Sequence, residues 1–340
     1  MRAASTPRAV VFASDAPRRR RDAAVLGAGV VGLHGALALA QSGAFERVRV
    51  VAERANAGTT SAVSAAFWYP FIVRTEPVEK ADAWALTSLA WYEGLYATEA
   101  SGVETRRFKE FFVEHRERPG WASAVKYHRS LERGEFDETR YAGGFEFDAP
   151  VAAMPKHLPW LIDQCERAGV TFEWRRVERL EDVVSESDEV VVNCAGLGAR
   201  ELVEDADLVP VRGQILYIAQ DIGEGIFDDD PEKLAYLIPR KDVTVLGGTA
   251  VAGDERLTID EEDSADIFKK CQALYPKLDA SKIVGANVGL RPYRKIVRCE
   301  LDSNLLNGAR LIHCYGHGGA GMTLARGSAL DVVRLALESR

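Results

Sequence analysis

The fold is decided by the stretch AAVLGAGVVG at residues 23–32. Its first four residues form a short apolar run typical of a buried strand, and residues 30–42 are an Ala/Leu-rich run that predicts a helix. Between them, Gly27, Gly29 and Gly32 have the spacing G-x-G-x-x-G. The first glycine allows a tight turn, the second lets the backbone approach a pyrophosphate, and the third lets helix and strand pack closely. The stretch therefore predicts the opening unit of a dinucleotide-binding fold.

An acidic residue closes this unit. Residues 48–52 predict a second strand, and Glu53 stands at its end. A carboxylate in this place would accept hydrogen bonds from a ribose 2′-hydroxyl, and it disfavours a 2′-phosphate. The alternative is a set of ordinary turn glycines beside a solvated glutamate.

A second glycine-rich loop, YGHGGAGMT, lies near the other end of the chain at residues 315–323. A helical pattern follows it, so the amides and positive dipole end of a helix would point back at the loop. Two such loops at opposite ends of the sequence favour FAD over NAD, because FAD needs one loop for its ADP half and another for its isoalloxazine. A helix N-terminus at residues 318–323 would stabilise the negative charge of reduced flavin. A glycine-rich turn without a ligand is the alternative.

Composition places few other limits on function. The chain has 340 residues with 47% hydrophobic content and a net charge of −8, which argues against a nucleic-acid surface. No apolar run approaches the length of a membrane span, so we expect no membrane partner. Five cysteines without a C-x-x-C pair indicate reduced thiols in a cytoplasmic protein.

The first 22 residues include a run of four arginines at 18–21. An export signal would need an apolar stretch after the arginines, whereas the residues that follow predict the first strand. We therefore expect residues 1–22 to be a disordered leader, or to result from a start codon placed too early.

The strand and helix patterns predict an α/β protein with a Rossmann-like domain and a β-rich domain that has a large mixed or antiparallel sheet. The nucleotide-binding domain is discontinuous and comprises residues 23–70, 150–200 and 285–340. The substrate domain comprises residues 71–149 and 201–284. Residues 221–232 are acidic and contain glycine, so we expect an exposed loop there.

The order of the motifs resembles that of the D-amino-acid oxidase family of flavoproteins, and the resemblance covers most of the chain from about residue 23. It is carried by the opening glycine stretch, a hydroxyl-rich loop and several short signatures. These segments are VLGAGVVGL at 25–33, TTSAVSAAFWYP at 59–70, VNCAG at 192–196, PVRGQ at 210–214, YLIP at 236–239, GLRP at 289–292 and YGHGGAGMT at 315–323.

The resemblance implies non-covalent FAD and a reaction in which hydride passes from Cα of a D-amino acid to flavin N5. The imino acid is then hydrolysed to a 2-oxo acid and ammonia, and O2 is reduced to H2O2. The implied FAD contacts are Gly27, Gly29, Val30, Val31, Gly32, Glu53, Arg54, Thr59, Thr60, Ser61, Ala65, Ala66, Phe67, Val177, Cys194, Ala195, Gly196, Gly318, Gly319, Gly321, Met322 and Thr323.

The same resemblance implies the substrate contacts. Arg291 would hold the substrate carboxylate through its guanidinium fork, and Tyr236 would add a hydroxyl. The carbonyl of Gly319 would accept from the amine, and Phe67 and Tyr69 would face the substrate side of the flavin. A structural arginine and a core tyrosine are the alternatives for the first two.

Other features leave the substrate open. A second tyrosine of better-known relatives is replaced here by Glu232, so gating of the site is in question. No basic residue is required in the side-chain pocket, which favours neutral D-amino acids, but Arg74 or Arg240 could shift the preference toward acidic ones. The alternatives are a sister amine oxidase, acting on D-aspartate, glycine or an N-methyl amino acid, and a flavin dehydrogenase or sensor. The histidines form no cluster, and His317 is expected to be structural or electrostatic.

Overall fold

The computed structural model describes residues 21–70, 74–230 and 234–338. Within them the chain forms fourteen strands and seven α-helices. The strands are β1 (Arg21–Leu26), β2 (Phe45–Ala52), β3 (Val103–Phe112), β4 (His128–Ser130), β5 (Gly143–Ala152), β6 (Val170–Trp174), β7 (Asp188–Asn193), β8 (Val209–Ile218), β9 (Gly225–Asp228), β10 (Tyr236–Pro239), β11 (Thr244–Gly247), β12 (Val251–Ala252), β13 (Ile283–Leu306) and β14 (Ala309–His317). The helices are α1 (Val30–Gln41), α2 (Thr60–Val63), α3 (Glu79–Glu93), α4 (Met154–Arg167), α5 (Ala199–Leu202), α6 (Glu261–Leu274) and α7 (Gly321–Leu337).

Residues 1–20 of the predicted leader lie outside the described residues. The last two residues of that prediction, Arg21 and Asp22, belong instead to β1. The Asp22 carboxylate accepts a hydrogen bond from Arg47 at 2.6 Å, so the strand is fixed to β2 at its first residues.

The predicted dinucleotide unit is the parallel part of the sheet, with strand order β14-β7-β1-β2-β6. Leu26 at the end of β1 pairs with Val51 on one side and Asn193 on the other, so three strands end at one edge. Gly27 and Cys194 follow these ends directly. The central strand is buried from residue 22 onward, which accounts for the uninterrupted apolar sequence of residues 23–26.

The other strands extend the same sheet in the order β4-β5-β3-β9-β10-β11-β8-β13, mostly antiparallel. β13 joins the two parts because it pairs with β8 on one side and with β14 on the other. β13 and β8 therefore bring the antiparallel strands next to the loops that follow the parallel strands. The fold class is therefore the expected α/β architecture with a large mixed sheet.

The expectation of an exposed loop at residues 221–232 was wrong in part. β9 is a buried strand that pairs with β3 and β10. Its two apolar residues, Ile226 and Phe227, point to opposite faces of the sheet, and both faces are covered. Acidic residues on either side hid this short apolar run in the sequence. Residues 231–233, which include Glu232, lie outside the described residues.

Helix α3 packs against α7 at a glycine. A side chain at Gly327 would collide with the backbone of Trp84, and the Gly327 amide donates to Ser88 Oγ at 3.2 Å. The segment 71–149 therefore contributes a helix to the layer that covers the parallel strands. The division into two domains with the boundaries given above stays a prediction.

Candidate active site

A cavity of about 850 Å3 lies where the two glycine loops meet. All the expected cofactor and substrate residues line it, with the exception of Val177. Val177 packs instead against the apolar cluster that contains Ala24, Leu26 and Val51. The sequence thus identified one contiguous site from residues spread over almost 300 positions, and one residue of the set does not reach it.

The three glycines of the first loop are needed for different structural reasons. Gly27 has a φ of +106°, and a side chain there would collide with the carbonyl of Cys194. A side chain at Gly32 would collide with the carbonyl of Gly27. At Gly29, by contrast, an added Cβ meets only the Ser61 hydroxyl at 3.3 Å. The space beside Gly29 therefore belongs to the cavity, so this glycine is the one that serves a ligand.

The hydroxyl-rich loop packs on the start of α1. Ser61 Oγ accepts a hydrogen bond from the Val30 amide at 3.0 Å, and Thr60 Oγ1 donates to the carbonyl of Leu290 at 3.2 Å. Ser61 thus takes the first amide of α1, and Gly29 at the N-cap has no side chain with which to bond the amides that follow. The first turn of the helix and these hydroxyls are thus turned toward the cavity, as an anion-binding loop requires.

Glu53 and Arg54 mark the end of the cavity next to β2. Their side chains are about half exposed, and their charged ends are 3.6 Å apart. A ribose hydroxyl at this edge would find both an acceptor and a donor. This geometry fits the adenosine end of a dinucleotide.

The second loop is fixed by hydrogen bonds to other parts of the chain. Gly318 has a φ of +54°, and its amide donates to the carbonyl of Pro292 at 2.9 Å. Buried Tyr315 donates its hydroxyl to Asp205 at 2.6 Å. Helix α7 then begins at Gly321, and among the described residues no side chain caps it. Its N-terminal end is therefore open to a negatively charged partner in the cavity.

His317 is a buried, neutral ring. Its Nε2 lies 3.2 Å from the Ser328 hydroxyl, and its ring stacks on Trp84. Burial lowers the pKa of His317 to about 4, so the ring carries no proton to donate as a cation at neutral pH. These contacts favour the structural role expected for it.

Arg291 and Tyr236 reach the cavity from neighbouring parts of the sheet. Arg291 Nη1 donates to the carbonyl of Thr249 at 3.0 Å, which fixes the guanidinium. Burial raises the pKa of Tyr236, and the positive charge of Arg291 opposes that rise. The hydroxyl therefore stays protonated and can donate beside the guanidinium.

Two glycines missed by the sequence reasoning make room for these side chains. A Cβ at Gly213 would collide with the guanidinium of Arg291, and one at Gly247 would collide with the ring of Tyr236. Both glycines lie on strands next to the residue they accommodate. The sequence motif VRGQ contained the first of them, but only the register of β8 and β13 reveals its partner.

Aromatic rings form a further part of the cavity lining. We call Phe67, Tyr69 and Phe227 the aromatic wall. Phe67 stacks on Tyr69 with ring centres 5.7 Å apart, and Phe227 meets Tyr69 edge-on at 5.1 Å. The Tyr69 hydroxyl donates to the buried carboxylate of Glu110 at 2.6 Å. Phe227 and Glu110 were not predicted, because neither belongs to a motif.

The two arginines considered for an acidic substrate do not line the cavity. Arg240 is buried and pairs with Asp242 through hydrogen bonds of 3.0 and 2.9 Å. The carbonyl of Arg74 accepts from the amide of Val297 at 2.9 Å. The cationic side chains along the described lining are Arg54, Arg291 and Arg294.

The described residues contain no group of acidic, histidine and cysteine side chains able to hold a metal ion. No helix among them is both long and apolar enough to cross a membrane. All five cysteines are buried free thiols.

Comparison with known proteins decides the family. The model of the family described as FAD-dependent oxidoreductase matches residues 22–335. This chain belongs to that family of flavoproteins. Among curated relatives of this FAD-dependent oxidoreductase, a D-amino-acid oxidase of Rubrobacter xylanophilus is 40% identical, with 92% of this chain and 95% of the relative covered. A D-aspartate oxidase of Homo sapiens is 33% identical, with 93% and 94% covered.

Solved structures share the fold of this FAD-dependent oxidoreductase. A glycine oxidase from Geobacillus kaustophilus has a TM-score of 0.75 at 18% identity, covering 94% of this chain and 95% of that one. An L-α-glycerophosphate oxidase from Mycoplasma pneumoniae, solved with FAD bound, has a TM-score of 0.73 at 16% identity, covering 95% and 96%.

The cavity fits FAD. The space beside Gly29, the open start of α7 and the acceptor at Glu53 lie along one continuous cavity. The first helix start suits the pyrophosphate and the second suits the flavin ring. When bound, FAD supplies an acceptor for two electrons, and the protein supplies position and charge around it.

Proposed function

We propose that this protein is a D-amino-acid oxidase that acts mainly on neutral D-amino acids and releases 2-oxo acid, ammonia and H2O2. The observation that carries the proposal is the pairing of Arg291 with Tyr236 in the cavity that the flavin loop lines. A nucleotide-binding protein without a substrate has no need of a cation and a hydroxyl held side by side over two glycines. The curated relatives named D-amino-acid oxidase support the same activity.

The residues of the site account for the stereochemistry. Arg291 and Tyr236 would bind the substrate carboxylate, and the Gly319 carbonyl would accept a hydrogen bond from the amine. These three contacts fix which face of Cα is turned toward the flavin, and so select one enantiomer. Hydride transfer from Cα requires no protein base, so catalysis rests on the positioning of the substrate beside the flavin.

The second candidate function is a related amine oxidase with another substrate preference, since one relative is named D-aspartate oxidase. Neutral substrates are favoured because neither Arg74 nor Arg240 lines the cavity. Use of an electron acceptor other than O2 would make the protein a dehydrogenase. A cytoplasmic location and the absence of nucleic-acid partners stay predictions, and the sequence leaves open whether the chain forms a homo-oligomer.

A substrate panel tests the proposal. D-Ala, D-Val, D-Asp, glycine and sarcosine are compared at equal concentration with the FAD-loaded protein, and H2O2 release is measured. We expect D-Ala and D-Val to be oxidised and L-Ala to be inert. Faster oxidation of D-Asp or glycine than of D-Ala and D-Val would contradict the proposed substrate class. Flavin reduction without H2O2 release would contradict the proposed oxidase activity.

Gly213→Ala should raise KM without loss of FAD. The new methyl group must displace the guanidinium of Arg291, because the two cannot occupy the same space. We expect kcat/KM for D-Ala to fall by about ten- to a hundredfold, the equivalent of one charge-assisted hydrogen bond. Steady-state kinetics and the FAD absorbance of the purified variant measure the two effects. An unchanged KM would show that Arg291 is not the carboxylate site. Gly285→Ala, on the same strand as Arg291 and away from the cavity lining, is the matched control, because its Cβ would meet only the Tyr217 ring at 3.9 Å.

A further inference from the structure

A buried carboxylate lies directly behind the aromatic wall. The Glu110 side chain is 3% exposed and accepts hydrogen bonds from the Tyr69 hydroxyl at 2.6 Å and from Arg116 Nη1 at 3.1 Å. Glu110 on β3 pairs in register with Phe227 on β9. Since paired residues on neighbouring strands point to the same face, Glu110 and Phe227 share the face of the sheet that borders the cavity.

Among the residues that the structure describes, the charge around Glu110 is not balanced. Arg116 also pairs with Asp229 at 2.7 Å, so two carboxylates share one guanidinium. The Arg116 side chain is 46% exposed, whereas those of Glu110 and Asp229 are 3% and 10% exposed. Water therefore screens the positive charge more than the negative ones. Within the described ranges, the titratable groups that face Glu110 are Tyr69, Arg116 and Asp229. The ionised cluster leaves a net negative field at the wall.

The aromatic wall adds to this field. The faces of its rings carry the negative end of the aromatic quadrupole. A substrate carboxylate bound by Arg291 turns its side chain away from that cation, into the remaining part of the cavity. The described lining offers no further cation beyond Arg54 and Arg294, and Arg294 is already paired with Asp205 at 3.0 Å.

We propose that Glu110 determines specificity: its charge, transmitted through Tyr69, excludes D-amino acids with acidic side chains and admits those with neutral or cationic ones. This inference rests on the proposed function and gives it a substrate class. Glu110 acts through Tyr69, so it is a positioning residue and not a catalytic one.

The selectivity depends on pH. Burial raises the pKa of Glu110 to about 7, so its charge is present above that pH and lost below it. The side chain of free D-Asp, with a pKa of about 3.9, stays ionised throughout. The ratio of kcat/KM for D-Asp to that for D-Asn should therefore rise as the pH falls from about 9 to about 6. Because D-Asn has nearly the same shape, the ratio isolates the side-chain charge.

Glu110→Gln tests the inference in the FAD-loaded protein. Glutamine keeps an oxygen that accepts from Tyr69 and removes the charge. We expect the D-Asp to D-Asn ratio above pH 8 to rise about tenfold and its pH dependence to disappear, since one nearby charge in a partly buried site is worth about this much. Turnover of D-Ala should change little. The matched control is Glu146→Gln, a buried carboxylate on β5 that bonds Tyr127 and Arg129. It should leave the ratio unchanged.

Asp229→Asn is the second variant, for use if Glu110→Gln fails to bind FAD. It removes one charge from the same cluster, and its side-chain oxygen can still accept from the Val113 amide. Like Glu110→Gln, it should raise the ratio of kcat/KM for D-Asp to that for D-Asn.

Two outcomes would overturn this inference and leave the proposed function standing. One is a wild-type protein that prefers D-Asp to D-Asn, and the other is a pair of variants that change kcat/KM for both substrates equally. If neither D-Ala nor D-Asn is oxidised, the proposed function fails first.

Discussion

Arg291→Ala should lower kcat/KM for D-Ala by about a thousandfold, mainly through KM, while FAD stays bound. A guanidinium fork makes two charge-assisted hydrogen bonds to a carboxylate, each worth about 1.5–3 kcal/mol, and tenfold in rate corresponds to about 1.4 kcal/mol. The flavin loop does not depend on this side chain, because the Gly318 amide bonds the Pro292 carbonyl. Steady-state kinetics and flavin absorbance check both parts.

Two variants make this result specific. Arg291→Lys keeps the charge and loses the fork, so it should recover only part of the lost kcat/KM. Arg256→Ala removes an exposed arginine that pairs with Asp254, and it should behave as wild type. If Arg291→Ala left KM unchanged, the carboxylate would bind elsewhere and the assignment of the site would be wrong.

Gly29→Val should yield a folded protein that purifies without FAD. An added Cβ at Gly29 meets only the Ser61 hydroxyl, at 3.3 Å, so the chain itself can accept a larger residue. The branched side chain would occupy the space left for the pyrophosphate, and we expect FAD affinity to fall at least about a hundredfold, since overpacking costs about 1–3 kcal/mol and the helix-end contacts are lost as well. Absorbance of the purified protein measures the flavin, and circular dichroism measures the fold.

Gly35→Ala is the matched control. Gly35 lies six residues later, inside α1, and an added Cβ there meets nothing within 4 Å. This variant should keep its FAD and gain slightly in stability, because alanine favours a helix by about 1 kcal/mol over glycine. A yellow Gly29→Val protein with unaltered affinity would show that the first loop does not hold the pyrophosphate.

The sequence was most informative where backbone geometry demands particular residues. Gly27 and Gly32 are required by contacts within the strand–turn–helix unit, so a local pattern sufficed to predict the unit and the cavity beside it. The ordered set of short motifs then predicted Arg291 and Tyr236 as substrate contacts, and the two residues line one cavity although they lie on different strands.

Features that depend on pairing between distant strands were not predictable. Gly213 leaves space for Arg291 only because β8 and β13 pair in one register. Glu110 is behind the aromatic wall only because β9 pairs with β3, and β9 itself was hidden among acidic residues. A lone carboxylate in a strand carries no local signal of burial. Val177 shows the converse case, a residue carried over from a resemblance that packs under the sheet instead of lining the cavity.

The central claim is that one cavity holds FAD at the two glycine loops and a D-amino acid at Arg291 and Tyr236. Anaerobic mixing of the FAD-loaded protein with D-Ala tests it most directly, because flavin reduction is then observed without the later reaction with O2. We predict rapid loss of the visible flavin absorbance with D-Ala, none with L-Ala, and recovery with formation of H2O2 when air is admitted. Flavin that stays oxidised with D-Ala and the other D-amino acids of the panel, or that is reduced equally by both enantiomers, would contradict the claim.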